Sequence, residues 1–249
     1  MINFFRKIRK QLADDNMPVK YFRYAIGEIV LVVIGILIAL SINNWNETNN
    51  NKASAKLHLK TISNNIKEDV LQLEEFYKFT DTTLQISKRL TRQFQTLDPV
   101  DEYTTHYITK LLLEKTTSPN KSGLETLNNS GELAYVPKQT QELLLKYYNI
   151  LDNIAAREEI SNTFIKIRYE PYYFKHYSFI VNKNMNWSVV KEYYKEDPRT
   201  PKLIDPKNFL QDEELEAMVF GRHFQIKNQH TLYKEALDIA NQLLNNIEQ

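Results

Sequence analysis

Apolar positions along the chain fall into one unbroken block and three periodic stripes. The block, Tyr24 to Ile42, shows no polar face; its one charged residue is Glu28, five residues past Arg23. Its 19 residues would rise about 28 Å as a helix, close to a hydrocarbon core of about 30 Å. Tyr21, Phe22 and Tyr24 stand at one end and Trp45 at the other, where amphipathic rings favour the headgroup level. A buried core helix would carry a polar side, and this run has none. A cleaved signal peptide is the other alternative, with Ala39-Leu40-Ser41 as a loose cleavage site. The long preceding segment and the long apolar run argue instead for an uncleaved signal anchor.

The stripes lie where Gly and Pro are absent: residues 52–95, 138–170, and the stretch after Pro206, which only Gly221 interrupts. Leu59, Ile62, Ile66, Val70, Leu73 and Tyr77 recur at three- and four-residue steps in the first. Leu144, Tyr147, Leu151, Ile154 and Ile165 do so in the second, and Leu215, Met218, Leu237, Ala240, Leu244 and Ile247 in the third. Three one-sided helices must bury their stripes against each other. The expected fold is all-α: a transmembrane helix, then an antiparallel bundle with long first, middle and last helices. Among shorter elements, Asp98-Pro-Val-Asp101 reads as an N-cap with Pro at the first helical position, opening a helix through Leu111 and Leu112. Ser122-Gly-Leu-Glu125 has capping-box spacing, with Ser130-Gly131 as the stop. The Pro-rich run Asp197–Pro206 predicts an extended crossing. Asn43–Asn51 reads either as a linker or as an outward continuation of the membrane helix.

Charge sets an orientation. Residues 1–44 carry six basic residues (Arg6, Lys7, Arg9, Lys10, Lys20, Arg23) and three acidic ones (Asp14, Asp15, Glu28). The flank after the span opens with the uncharged Asn43-Asn44-Trp45-Asn46, so the positive-inside rule keeps the N-terminus in the cytoplasm. Phe5, Ile8 and Leu12 share one face of a basic tail, which reads as an amphipathic helix on anionic headgroups or as a merely disordered tail. The layout expected is a cytoplasmic tail over 1–22, a span over 23–44 and an exported helical domain over 45–249. That domain holds 26 basic and 28 acidic residues, too little positive charge for a nucleic-acid partner. The chain has no cysteine, which removes disulfides and thiolate chemistry.

Three motifs carry a resemblance: FFRKIRK, YAIGEIVLVVIGILIALSINNWNE and LETLNNSGEL. In these the chain resembles an uncharacterised family of single-pass membrane proteins of Gram-negative bacteria, known only as a domain of unknown function. The resemblance implies a bacterial inner-membrane anchor with a periplasmic helical domain, and it implies no activity.

Chemistry is sparse. None of the five histidines (His58, His106, His176, His223, His230) has a Glu three residues before it, so the di-iron bundle pattern is missing. HExxH, the nucleophile elbow, the P-loop and GxGxxG are absent too. His223 and His230, seven apart, read as surface or interface residues. Glu158-Glu159 and Asp212-Glu213-Glu214 read as solvated faces or helix-dipole partners. No catalytic, cofactor or metal residue is assigned, and an enzyme is not expected. The one unusual density is aromatic, from Tyr169 to Tyr194. Within it Tyr172, Tyr173, Tyr177 and Trp187 are candidates for a partner or ligand surface, against the simpler reading that they pack a core.

Two functions remain besides an unsupported envelope enzyme. One is an anchored interaction module for a membrane or envelope protein; the other is a ligand-sensing bundle that signals through a membrane partner. Within the span, Glu28, Leu31, Gly35 and Ala39 share one face, and Gly35-x-x-x-Ala39 has the spacing that lets helices approach closely. This face is a candidate dock for a second helix, from another copy or another protein, besides its contact with the lipid bilayer.

Overall fold

The computed structural model describes residues 18–184 and 187–248, with only the backbone of Pro18, Lys20 and Tyr21. The basic tail with Phe5, Ile8 and Leu12 thus falls outside the described residues. Every regular element described is helical: α1 (Pro18–Phe94), α2 (Thr104–Lys110), α3 (Ser122–Asn129), α4 (Lys138–Phe164), α5 (Glu170–His176), α6 (Ser188–Tyr193), α7 (Pro206–Leu210) and α8 (Glu213–Glu248), with short 3-10 turns at Glu132–Tyr135 and Phe179–Asn182. The protein is all-α. The chain divides into two compact units between Leu57 and His58.

In the first unit, α1 holds the whole apolar block and runs unbroken through Asn43–Asn51, so that stretch is helix and not a linker. Its large side chains have no protein cover: Leu31 is 64% and Ile42 62% exposed. A helix apolar on all sides and uncovered by protein belongs in lipid. This is the one helix among the described residues long and apolar enough to cross a membrane.

In the second unit α8 runs antiparallel to both other long helices. Against α1, Thr80 meets His230 at 3.0 Å and Ser87 meets His223 at 2.9 Å. Against α4, Thr140 pairs with Asn246 and Ser161 with Arg222, again in opposite order. It follows that α1 and α4 run in the same direction, because the connection over 95–137 crosses back along them. Part of that connection, 113–121, is extended chain without a strand partner. Its amides are satisfied by helix side chains: Ser118 N donates to Gln72 (2.9 Å), Asn120 N to Asp69 (3.2 Å) and Thr117 N to Glu158 (2.8 Å).

The first two stripes pack the core through Ile62, Ile66, Leu73, Leu144, Tyr147, Leu151, Ile154 and Ile165. The third is displaced only in part: Leu215, Met218 and Ala240 are buried as expected, Leu237, Leu244 and Ile247 are half-buried, and the α8 seam also takes in Arg222, Ile226, Gln229, Tyr233, Ala236 and Leu243. Arg222 and Tyr233 enter it because they hold hydrogen bonds that a hydrophobicity pattern does not register.

Helix ends also differ in detail from their sequence signals. Asp98 caps nothing; its carboxylate takes a two-pronged pair from Arg92 at 2.9 and 3.0 Å, and α2 begins only at Thr104. The start of α3 is held by Asn120, which accepts from Ser122 N at 3.1 Å, with no side-chain cap from Lys121. Gly131 does stop that segment, in the left-handed region at φ 73°. The crossing before Pro206 ends in Asp205, which caps α7 by accepting from Lys207 N at 2.9 Å. Between α4 and α5 a π turn spans Ile165–Tyr169, ahead of Pro171, whose ring nitrogen cannot donate; Ile165 and Tyr169 both face inward there.

One glycine is held by packing. A Cβ on Gly123 would lie 2.7 Å from Ile62 Cγ1 and 3.3 Å from Ile62 N, and Ile62 is fully buried. Alanine would gain about 1 kcal/mol in helix propensity but collide with a side chain that cannot retreat. Gly123→Ala is expected to destabilise the domain by about 1–3 kcal/mol in thermal melts, and a Tm at or above the parent's would show that α3 is free to lift from α1.

Candidate functional site

Catalysis would draw on the buried ionisable groups of the fold. Glu158, on α4, is 1% exposed and accepts from Thr117 N, Thr117 Oγ1 (3.1 Å) and Tyr233 OH (2.6 Å). It is not on a solvated face. Burial, then Glu158, push the Tyr233 phenol well above its ordinary value. Arg222, on α8 and equally buried, donates to Leu111 O (3.0 Å), Ser161 Oγ (2.6 Å) and Leu113 O (3.5 Å). Burial lowers its guanidinium to about 10. Four of the five histidines are interface residues in the same sense. His223 and His230 meet Ser87 and Thr80, and His230 also stacks on Tyr77 at 4.3 Å. His106 Nδ1 meets Asn182 at 3.0 Å, and His58 faces Glu132 at 3.1 Å. Burial holds His106 and His223 below the ordinary imidazole value. These groups join helices; among the described residues no three His, Asp or Glu stand together to hold a metal ion.

Asp69 offers a test of this bonding. It is 6% exposed and accepts from Asn120 N and Tyr147 OH (3.0 Å). Burial raises its carboxyl above 3.8, with both hydrogen bonds opposing. A carboxyl raised by folding binds its proton more tightly in the fold, so stability falls as pH climbs from the unfolded to the folded value. Relative to Asp69→Asn, the parent is therefore expected to gain stability as pH drops from 7 towards about 4, in urea unfolding at both pH values. A difference that stays constant, or moves against the parent, would show that burial does not govern Asp69.

The aromatic region is divided by the fold. Tyr173 is fully buried, its hydroxyl 2.8 Å from Thr109 Oγ1, and Tyr169 donates to Ile108 O at 3.1 Å. Tyr172 is 6% exposed and donates to Asp212. Together with Leu90, Ile108, Leu111, Phe209 and Leu215 they form a core. Tyr172 and Tyr173 are thus inside and offer no surface. Trp187 and Tyr177 are half-buried: Trp187 packs edge-on to Phe179 with Lys110 Nζ over its ring at 5.6 Å. Tyr177 lines a cleft of ≈ 670 Å³ between the end of α5, the Pro-rich crossing and the start of α8.

Apolar side chains of Tyr177, Ile180, Ile204 and Phe209 line part of this cleft, and Lys175, His176, Arg199 and Lys202 line another part. Asp212 also lines it, but its carboxylate is taken by Tyr172 and by Leu215 N at 2.9 Å, as the cap of α8. Sequence reading missed the basic residues, since no spacing motif joins residue 175 to residues 199 and 202. The length of the Pro-rich crossing was the one available signal.

A second surface lies on α8. Phe220 and Phe224, one turn apart on its outward side, are 68% and 53% exposed. Ile160 and Phe164 on α4 and Ile167 in the π turn after it follow at four- and three-residue steps, and Phe164 lies over Gly221, where a Cβ would come within 2.9 Å of its ring. The intramembrane residues Glu28, Leu31, Gly35 and Ala39 share one face of α1, and a Cβ on Gly35 would meet nothing within 4 Å.

The model of a family of unknown function (DUF6090) matches residues 28–152, from within the apolar block to the middle of α4. The chain belongs to this family. The match includes the span from Glu28 onward, the LETLNNSGEL segment at α3, and Asp69. Most of the cleft, all of α8 and the aromatic region lie beyond the matched residues. No curated protein and no solved structure matches the chain. Family and fold together describe a membrane-anchored helical domain of unknown function.

Proposed function

We propose that the protein is an interaction module held in the bacterial inner membrane, which acts by binding another envelope protein and not by catalysis. In this reading residues 1–22 are cytoplasmic, 23–44 span the bilayer and 45–249 form a periplasmic domain. The basic flank before the span supports the orientation. The observation that carries the reading is the aromatic patch of Phe220 and Phe224, flanked by Phe164 and Ile160 of α4 and by Ile167 of the π turn. Clustered exposed apolar side chains mark contact surfaces more often than scattered ones do. The buried ionisable groups, by contrast, are occupied in joining helices. Within the bilayer, the face of Glu28, Leu31, Gly35 and Ala39 docks a second helix, from another copy or from the partner.

A photocrosslinking side chain at Phe224 in intact cells is expected to give a discrete adduct that Phe220→Ser removes. The same probe at Leu71, exposed on α1 away from the patch, is expected to give none. Equal labelling from both positions, or none from any patch position, counts against the module. Gly35→Leu should abolish the helix contact in a bilayer, and an unchanged contact would dismiss that face. Reporter fusions after residue 249 decide orientation: activity confined to a cytoplasmic reporter reverses it.

A further inference from the structure

We propose that the cleft beside α5 and α8 binds a small organic anion with an apolar body, of the aryl- or alkyl-carboxylate class. The inference stands independently of the interaction surface. A volume of ≈ 670 Å³ falls in the usual range for small-molecule sites, about 300–1,000 Å³. The lining supplies both halves of such a ligand's chemistry. Tyr177, Leu203 and Ile204 offer the apolar part, backed by the buried Ile180 and Phe209.

The charges in the cleft are not equally available. Arg199 is paired with Asp197 at 2.6 Å, and Asp205 and Asp212 are occupied as caps of α7 and α8. Lys175 and Lys202 are exposed and have no hydrogen-bond or ion-pair partner among the described residues. Two unpaired ammonium groups beside an apolar lining attract an anion and leave a cation unmatched. One carboxylate head on an aromatic or alkyl body satisfies both, whereas a bare inorganic anion would leave the apolar part wet.

The probe is 1-naphthoate, measured by equilibrium dialysis against the full chain in nanodiscs, with empty nanodiscs subtracting the lipid contribution. Saturable binding is expected, weakened about tenfold in Lys175→Gln/Lys202→Gln and unchanged in Lys78→Gln on α1. The double Lys→Arg variant should retain binding, since it restores the charge, and naphthalenemethanol, the uncharged counterpart, should bind about tenfold more weakly than naphthoate. Both lysines are exposed, so the Gln variants are expected to melt as the parent does. No saturable binding above empty nanodiscs overturns the proposal. Equal binding of the neutral compound, or full binding by the double Gln variant, overturns it as well.

Discussion

Replacing Arg222 with alanine is expected to cost the helical domain about 3–5 kcal/mol, a drop in Tm of roughly 10 °C for a domain of this size. Arg222 is 1% exposed, and its guanidinium joins three parts of the chain: Leu111 O at the end of α2, Ser161 on α4 and Leu113 O at the start of the extended segment. Alanine removes a large buried side chain and leaves carbonyls without donors. Relief of the charge's desolvation offsets part of this, but removing one partner of a buried network is dominated by what stays behind unpaired. Arg222→Met separates the terms. It keeps most of the volume and loses the donors, so it should fall between parent and alanine. Urea unfolding of all three proteins is the measurement. If alanine lies within about 1 kcal/mol of the parent, the guanidinium does not join the helices as described.

Glu158→Ala is expected to cost about 2–4 kcal/mol, with a local signature that a simple cavity would not give. The carboxylate holds the amide and hydroxyl of Thr117 and the hydroxyl of Tyr233. Without it, the amide of Thr117 loses its acceptor in a buried place, while Asn120 N keeps Asp69. Hydrogen exchange should therefore accelerate at Thr117 much more than at Asn120. Glu158→Gln keeps one acceptor oxygen and should cost about 1–2 kcal/mol. A uniform rise in exchange along 113–121 would mean that Glu158 acts only through global stability.

Local periodicity and local chemistry made part of this protein legible. The apolar block, the three striped helical stretches and the Gly131 stop all depend on neighbours within about four residues, which the sequence states directly. The sequence determined an all-α chain with one membrane-spanning helix. Tertiary structure decided the rest. That α1 and α4 run in the same direction depends on where 95–137 crosses, which no periodicity records. Glu158 reads as a solvated carboxylate until Thr117, 41 residues earlier in the chain, lies against it. Tyr172 and Tyr173 read as possible surface until Asp212 and Thr109 take their hydroxyls. Lys175 and Lys202 become one site only because the Pro-rich crossing returns to the end of α5. A polar or aromatic side chain's role is fixed by its partner, and distant partners are brought together by the fold alone.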